Sequence, residues 1–142
     1  MSINTYNTNA LIYNDHGSGT NRITVKHLLP RVWWVGTDAI QAIHSGVTDV
    51  SKFTVLITLR DGYKTPQEWQ ALTTAEVLSG DYYTLQDGDR MIQGEYPDAP
   101  DTFQSTQAVD QHFKTASRPI MSGTDPMRLP GGKIHHWNIG LK

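Results

Sequence analysis

Residues 82–95 read YYTLQDGDRMIQGE, which is two strand-like runs on either side of an Asp-Gly-Asp turn. Asp-Gly between runs that carry apolar residues favours a β-hairpin, because glycine adopts a positive φ without steric cost and aspartate tolerates it better than most residues. The stretch therefore predicts two antiparallel strands, 82–86 and 90–95. It contains no motif that indicates catalysis. The side chains expected to face a core are those of Tyr83, Leu85 and Met91.

Polar and apolar residues alternate in several other stretches, which is the pattern of a strand with one face toward a core. Pro30 cannot donate to a central ladder, so the strand over 21–29 either ends there or bulges. In the RVWWV run that follows, Trp33 and Trp34 must point to opposite faces, so that one lies in the core and the other is exposed or covered. The remaining predicted strands are 10–13, 31–35, 52–60, 118–121 and 133–141.

Two short helices are expected. The first begins at a capping box formed by Thr65 and Glu68, ends near Thr73 and buries Trp69 together with Leu72. The second has Ser105 or Thr106 as its N-cap and runs to about Phe113, with Val109 and Phe113 as an inward pair.

The connecting segments are less regular. Residues 37–51 fit either a helical turn over 38–44 with Thr37 as its N-cap, or a long excursion between strands. Residues 74–78 indicate a turn. Residues 96–104 and 122–132 are rich in proline or glycine and indicate exposed loops.

These elements predict a mainly β protein. Roughly six or seven strands recur with turn signals and without a βαβ rhythm, which favours an antiparallel β-barrel or sandwich with two short helical insertions and long loops. The length of 142 residues fits a single β-rich domain over 1–142.

The composition excludes several classes of protein. The net charge of −2 gives no basic field of the kind that grips nucleic acid, although a wall that only lets DNA pass has the same signature. There is no cysteine, which excludes disulfides and thiolate metal sites. No signal peptide is predicted, and no apolar run approaches the ~20 residues of a membrane span.

Reaction chemistry is also not indicated. The six histidines form no HxH, HExxH or HxxxH pair, and His135 and His136 are expected on opposite faces of one strand. No GxSxG elbow and no P-loop is present, and the paired aspartates lie in turns, where aspartate is favoured for backbone reasons. We therefore expect a protein that is not an enzyme, with no catalytic residue, no cofactor and no metal.

The four tryptophans admit two interpretations. Packing within the core and sheet is the commoner role of tryptophan, but tryptophan is also enriched at the buried centres of protein interfaces. Alternation forces Trp33 or Trp34 outward, and Arg90 beside the turn and Arg128 in the Gly/Pro loop are polar side chains suited to a contact. The predicted partner-contact residues are Trp33, Trp34, Arg90 and Arg128.

Three stretches together resemble a family of small virion proteins from tailed phages of Gram-positive hosts, found among the head–tail genes. They are RVWWVG at 31–36, YTLQDGDRMIQGE at 83–95 and HHWNIGLK at 135–142, in the same order as in that family. The 122–132 region is richer in glycine and proline than the family pattern.

This resemblance implies a structural protein of the phage neck, the head–tail connector, similar to head-closure (stopper) proteins. Those are small β-barrels that form a ring below the portal and adaptor, with loops that project into the channel and retain the packaged genome. The implied partners are further copies of the chain as a ring, the portal or adaptor protein above, tail proteins below and the passing DNA, bound non-specifically, with no membrane. The implied location is the virion neck, after assembly in the host cytoplasm.

A ring needs two different lateral patches on each subunit. The second face of the 52–60 strand, formed by Thr54, Leu56 and Thr58, is a candidate for one of them. Alternative hypotheses are a tail-completion, tail-terminator or minor capsid protein, a carbohydrate- or peptide-binding β-module that uses exposed Trp and Tyr, and a small enzyme of unknown type.

Overall fold

A computed structural model describes residues 8–17, 19–36 and 53–142. The helical turn expected over 38–44, with its Thr37 cap, lies outside the described residues. The strands are β1 (Thr8–His16), β2 (Ile23–Gly36), β3 (Phe53–Thr58), β4 (Arg90–Gln93), β5 (Thr102–Phe103), β6 (Arg118–Ser122), β7 (Met127–Arg128) and β8 (Ile134–Leu141). The helices are α1 (Pro66–Ala71), α2 (Thr74–Leu78) and α3 (Thr106–Phe113), with 3-10 turns at Gly19–Asn21 and Lys114–Ala116.

Six strands close into an antiparallel barrel. Their order is β1-β4-β6-β8-β3-β2, and β2 pairs back onto β1. The short strands β5 and β7 add to β2 and β8 outside this ring. Strands hold 44% of the described residues and helices 21%, so the expected mainly β class is confirmed, and the architecture is a barrel.

The inward side chains of the six strands form the core, as the period of two requires. Trp137 and Ile57 are paired and fully buried, and Val55 is paired with both Trp34 and Ile139. The cluster also includes Ala10, Ile12, Leu29, Val32, Tyr83, Leu85, Met91, Ile120 and Leu141.

Helices α1 and α2 pack at the end of the barrel where β1 finishes and β2 begins. The expected capping box of α1 is present, with Glu68 N donating to Thr65 Oγ1 over 3.2 Å. The Trp69 side chain packs with Val25 and Val77, and its indole N–H donates to the carbonyl oxygen of Asp15 over 2.9 Å. Trp69 therefore ties the helical insertion to the end of β1.

Helix α3 packs against the outer side of β1 and β4. Its N-cap is Ser105, one of the two expected caps, and the inward pair of Val109 and Phe113 is confirmed. These two side chains cover Leu11 and Ile92, which alternate with inward residues of the same strands.

The predicted hairpin is wrong. The turn forms, with Asp89 N donating to Gln86 O over 3.3 Å, but residues 82–86 do not pair with β4. Tyr83 instead makes a parallel bridge with Tyr63, and β4 pairs with β1 and β6. The core positions of Tyr83, Leu85 and Met91 are nevertheless confirmed.

Three further local expectations are corrected. Residues 74–78 form α2 rather than a turn, because Thr73 and Glu76 make a second capping box. The loops 96–104 and 122–132 each contain a two-residue strand, β5 and β7. The side chains of His135 and His136, expected on opposite faces of β8, contact each other through a hydrogen bond of 2.7 Å between their Nδ1 atoms.

Pro30 lies in a bulge within a continuous β2. The pairing jumps from Ala10 opposite Leu29 to Thr8 opposite Val32, so β2 has one residue more than β1 over this interval. Pro30 removes one backbone donor, and Arg31 takes a φ of 59°. Strand β2 pairs with β1 from Ile23 to Val32, across the bulge, and with β3 from Trp33 to Gly36.

Candidate functional site

The first candidate surface is the outward side of β2, β3 and β8. Directly paired residues of an antiparallel sheet share a face, and neighbours along a strand alternate. Since Trp34, Val55 and Ile139 face the core, the residues between them face outward. We call this side the outer face, formed by Trp33, Val35, Thr54, Leu56, Thr58, His136 and Asn138.

The outer face contains two features that the sequence suggested separately. Trp33 lies directly opposite Leu56, and Leu56 lies directly opposite Asn138. In the described part of the chain, neither Trp33 nor Leu56 belongs to one of the three hydrophobic clusters. Trp33 and the second face of β3 therefore form one patch, beside which Val35 is 38% exposed and Met127 52% exposed.

The four predicted partner-contact residues lie in different environments. Trp33 is half-buried on the outer face, whereas Trp34 faces the core, is 6% exposed and packs 6.0 Å from the Phe53 ring. Alternation thus leaves Trp33 as the outward member of the pair. Arg128 is exposed on β7, and its Nη1 atom donates to Gly132 O over 2.7 Å.

Arg90 connects β4 to α3. Its Nε and Nη2 atoms donate to the two carboxylate oxygens of Asp110 over 2.8 and 3.0 Å, and it also donates to Gly88 O. Partial burial raises the pKa of Asp110, but hydrogen bonds from Arg90 and Ser117 outweigh this effect and hold that pKa below its ordinary value. The structure gives Arg90 a role in holding α3 on the barrel.

The second candidate surface is a cavity of about 380 Å³ between α3 and the loop that precedes β5. Tyr96 is 43% exposed and packs its ring edge against Phe113 at 5.4 Å. The loop is held to the barrel by Tyr13 Oη, which donates to Pro100 O over 2.8 Å, and by Lys26 Nζ, which donates to Ala99 O over 3.1 Å. We call this the α3 cavity, lined by Tyr96, Pro97, Asp98, Ala99, His112 and Phe113.

The two surfaces lie on different strand pairs of the barrel. Helix α3 covers the β1–β4 pair, and the outer face is centred on β3, which pairs with β8. In the closed strand order, β6 lies between these two pairs on one side, whereas on the other side β2 pairs with both β1 and β3. The apolar patch of one copy can contact the concave cavity of another when copies are placed side by side.

The sequence reasoning missed a buried polar group at the α1–α2 end of the barrel. Asn14, Thr84 and Asp89 are each at most 2% exposed. Burial raises the pKa of Asp89 to about 7, although hydrogen bonds from Asn14, Gln86 and the Asp15 N–H lower it. One signal was available, since Asn14 follows Ala10 and Ile12 at the inward spacing of a strand.

No group of three or more His, Cys, Asp or Glu side chains among the described residues is arranged to hold a metal ion. No helix in the described ranges is long and apolar enough to cross a membrane.

Comparisons with known proteins identify a family without assigning a function. No curated protein and no solved structure matches the chain. A sequence family does match, over residues 5–142, and it is described as a family of unknown function. Because this match covers nearly the whole chain, the protein belongs to the family of unknown function DUF6751.

Proposed function

We propose that the chain is a structural subunit of the phage neck, and that it acts as a head-closure (stopper) ring subunit below the portal or adaptor. The observation that carries the proposal is the pairing of Trp33 and Leu56 on the outer face, a surface distinct from the α3 cavity. The resemblance of 31–36, 83–95 and 135–142 to small neck proteins supplies the biological context.

Ring formation requires a heterologous interface, in which two different patches of neighbouring subunits meet and the rotation closes. The outer face and the α3 cavity are two different surfaces, one centred on β3 and the other formed by α3 and the loop before β5. A single self-complementary patch would favour a two-fold dimer instead. The arrangement therefore suits a cyclic assembly.

The chemistry of the two surfaces is complementary. Trp33 and Leu56 supply an aromatic and an aliphatic anchor, and interface energy is usually concentrated in such residues. Glu95 and Asp98 are exposed beside the α3 cavity, and Arg128 is exposed on β7, the strand next to β8. Opposite charges at the rim of an apolar contact favour one orientation of neighbouring copies.

In this proposal the barrel is a mechanical support. Its hydrogen-bonded ring has no open edge between β1 and β2, and the loops 96–104 and 122–132 lie outside that ring. The net charge of −2 suits a channel wall that DNA passes without being held by a strong positive field. Loops in the channel and partners at both ends of the ring would then retain the genome and dock the tail.

The test is the mass of the purified full-length chain, alone and mixed with portal complexes, by native mass spectrometry and sedimentation velocity. We expect a closed ring, or a monomer that joins a ring on the portal complex. Trp33→Ser with Leu56→Ser should abolish the assembly, because both anchors are lost. Leu78→Ser, which changes an exposed leucine on α2, is the matched control and should assemble normally. A monodisperse monomer that also fails to bind portal complexes would contradict the proposal.

A further inference from the structure

Four aromatic rings form a row that connects β2 to β8 through the two segments flanking α1 and α2. His27 of β2 stacks on Tyr83, with ring centroids 4.8 Å apart and planes inclined by 21°. Tyr83 contacts Tyr63 at 5.8 Å, and Tyr63 contacts Trp137 of β8 at 4.6 Å. We infer that His27 is a pH-sensitive switch, whose protonation releases the Tyr83 segment and the approach to α1 from the barrel. The inference does not depend on the neck-ring proposal and can fail or hold without it.

The segment around Tyr83 is held by a small number of specific contacts. An isolated bridge at this position consists of two backbone bonds, from Tyr83 N to Gly62 O over 3.0 Å and from Lys64 N to Tyr83 O over 2.8 Å. The next residue, Thr84, donates its N–H to Asn14 Oδ1 over 3.0 Å and accepts from Nδ2 over 2.8 Å. Segments with few backbone hydrogen bonds open at a lower free energy than the ladders of a sheet. Because these bonds lie on both sides of α1 and α2, loss of the Tyr83 contacts also frees Lys64, just before α1.

His27 is the member of the row whose charge changes near neutral pH. The Tyr83 phenol stays neutral there, because burial raises its pKa to about 12. Burial of the imidazole lowers the pKa of His27 below its ordinary value of 6.5, and the positive charge of Arg60 acts in the same direction. A hydrogen bond with the Gly80 backbone and the negative charge of Asp81 act the other way and are outweighed. In the described part of the chain, Arg60 and Asp81 are therefore the charged groups that act on this ring.

The direction of the switch follows from the lowered pKa of His27. When the segment opens, the imidazole regains its ordinary pKa of 6.5, so the open form takes up a proton more readily than the closed form. The closed form is favoured fully above this value, and the advantage is lost as the pH falls below it. A protonated ring keeps an attraction to the Tyr83 face, but desolvation is the larger effect at this half-buried position. Asp89, whose pKa is raised, acts in the opposite direction, so a loss of protection at low pH does not arise from it.

The test is hydrogen exchange of the full-length chain, followed by NMR at several pH values between about 5 and 8 and corrected for the intrinsic exchange rate at each pH. The reporters are the amides of Lys64, Tyr83 and Thr84, whose N–H groups make the bonds described above. The internal reference is Val109 of α3, whose N–H donates to Ser105 O over 3.3 Å. We expect the protection of the reporters to fall, relative to that of Val109, as the pH drops below 6.5.

Variants assign this loss to His27. His27→Phe keeps a planar ring beside Tyr83 and cannot take up a proton, so the protection of its reporters relative to Val109 should not fall at low pH. His135→Gln removes an exposed imidazole from β8 and should behave like the parent chain. The amide spectrum of each variant reports directly that it is folded.

The ring of His27 provides a second measurement that needs no variant. Its carbon-bound protons shift on protonation, so their pH titration in the parent chain can be compared with the exchange of the reporter amides. Loss of reporter protection with the same midpoint as the His27 ring supports the switch. The inference is overturned if the reporters keep their protection across the range, if the ring titrates without any loss of protection, or if His27→Phe loses protection as the parent chain does.

Discussion

Asn14 donates a hydrogen bond from Nδ2 to Asp89 Oδ2 over 2.8 Å, and both side chains are buried at one end of the barrel. The Asn14 amide also bonds both backbone groups of Thr84, accepting from its N–H over 3.0 Å and donating to its carbonyl oxygen over 2.8 Å. One side chain therefore takes the place of a strand partner for the segment before β4.

Asp89 should make the stability of the fold depend on pH. Burial raises its pKa from 3.8 to about 7, so the folded chain holds a proton that the unfolded chain releases between these values. The contribution of this group is therefore most favourable below about pH 4 and is lost as the pH rises through about 7. We expect Asp89→Asn to remove this decline, measured as the free energy of unfolding in urea at several pH values between 4.5 and 8.

The matched control for this prediction is Asp87→Asn, which changes an exposed carboxylate in the same turn. The control should lose stability with rising pH as the parent chain does. If Asp89→Asn shows the same decline as the parent chain, another group is responsible.

Asn14→Ala should destabilise the fold by about 2–4 kcal/mol, because it leaves Thr84 and Asp89 buried without their shared partner. Asn138→Ala, at an exposed position of β8, should change the free energy of unfolding by less than about 0.5 kcal/mol. Chemical denaturation of the two variants measures the difference. Equal stabilities would show that the Asn14 hydrogen bonds contribute nothing net.

Trp69 should be the residue that holds the helical insertion on the barrel. It is 1% exposed, and its indole N–H bonds Asp15 O. We expect Trp69→Ala to cost about 3–5 kcal/mol and Trp69→Phe to cost less, since phenylalanine keeps most of the ring volume and loses the hydrogen bond. Hydrogen exchange should show the α1 and α2 amides opening faster in Trp69→Ala. Unchanged protection there would contradict the assigned role.

The bulge predicts an unusual order of stability among variants of Arg31, with glycine better tolerated than alanine. Because its φ is 59°, a residue without Cβ fits there with less strain. Arg31→Gly should be more stable than Arg31→Ala by about 1 kcal/mol. At Leu28, an exposed position of the same strand, the order should reverse, with the alanine variant more stable than the glycine variant. Melting curves of the four variants measure both orders, and alanine above glycine at position 31 would contradict the strained backbone.

Local patterns in the sequence predicted most of the elements. Alternation located β2, β3 and β8, the apolar run at 10–13 located β1, and the capping residues Thr65 and Ser105 located α1 and α3. Helix α2 was predictable as well, because Thr73 and Glu76 repeat the spacing of Thr65 and Glu68. Alternation at Trp33 and Trp34 required one outward tryptophan, and only the structure shows that it is Trp33.

The parts that could not be predicted depend on contacts between residues distant in sequence. The 82–86 segment has the pattern of a strand, but Lys64 N donates to Tyr83 O over 2.8 Å and Asn14 bonds Thr84, so its backbone groups have partners elsewhere. The α3 cavity needs a loop and a helix that are brought together by Tyr13 and Lys26. No periodicity within a segment carries that information.

We propose that this barrel is one subunit of a ring at the neck of a phage particle, with Trp33 and Leu56 of one copy facing the α3 cavity of the next. An electron cryo-microscopy map of the intact particle with this chain placed in it is the most direct test. We expect a ring between the portal or adaptor and the tail, with these two surfaces in contact between adjacent copies. Placement of the chain elsewhere in the particle, or a neck ring whose subunits meet through other surfaces, would contradict the account.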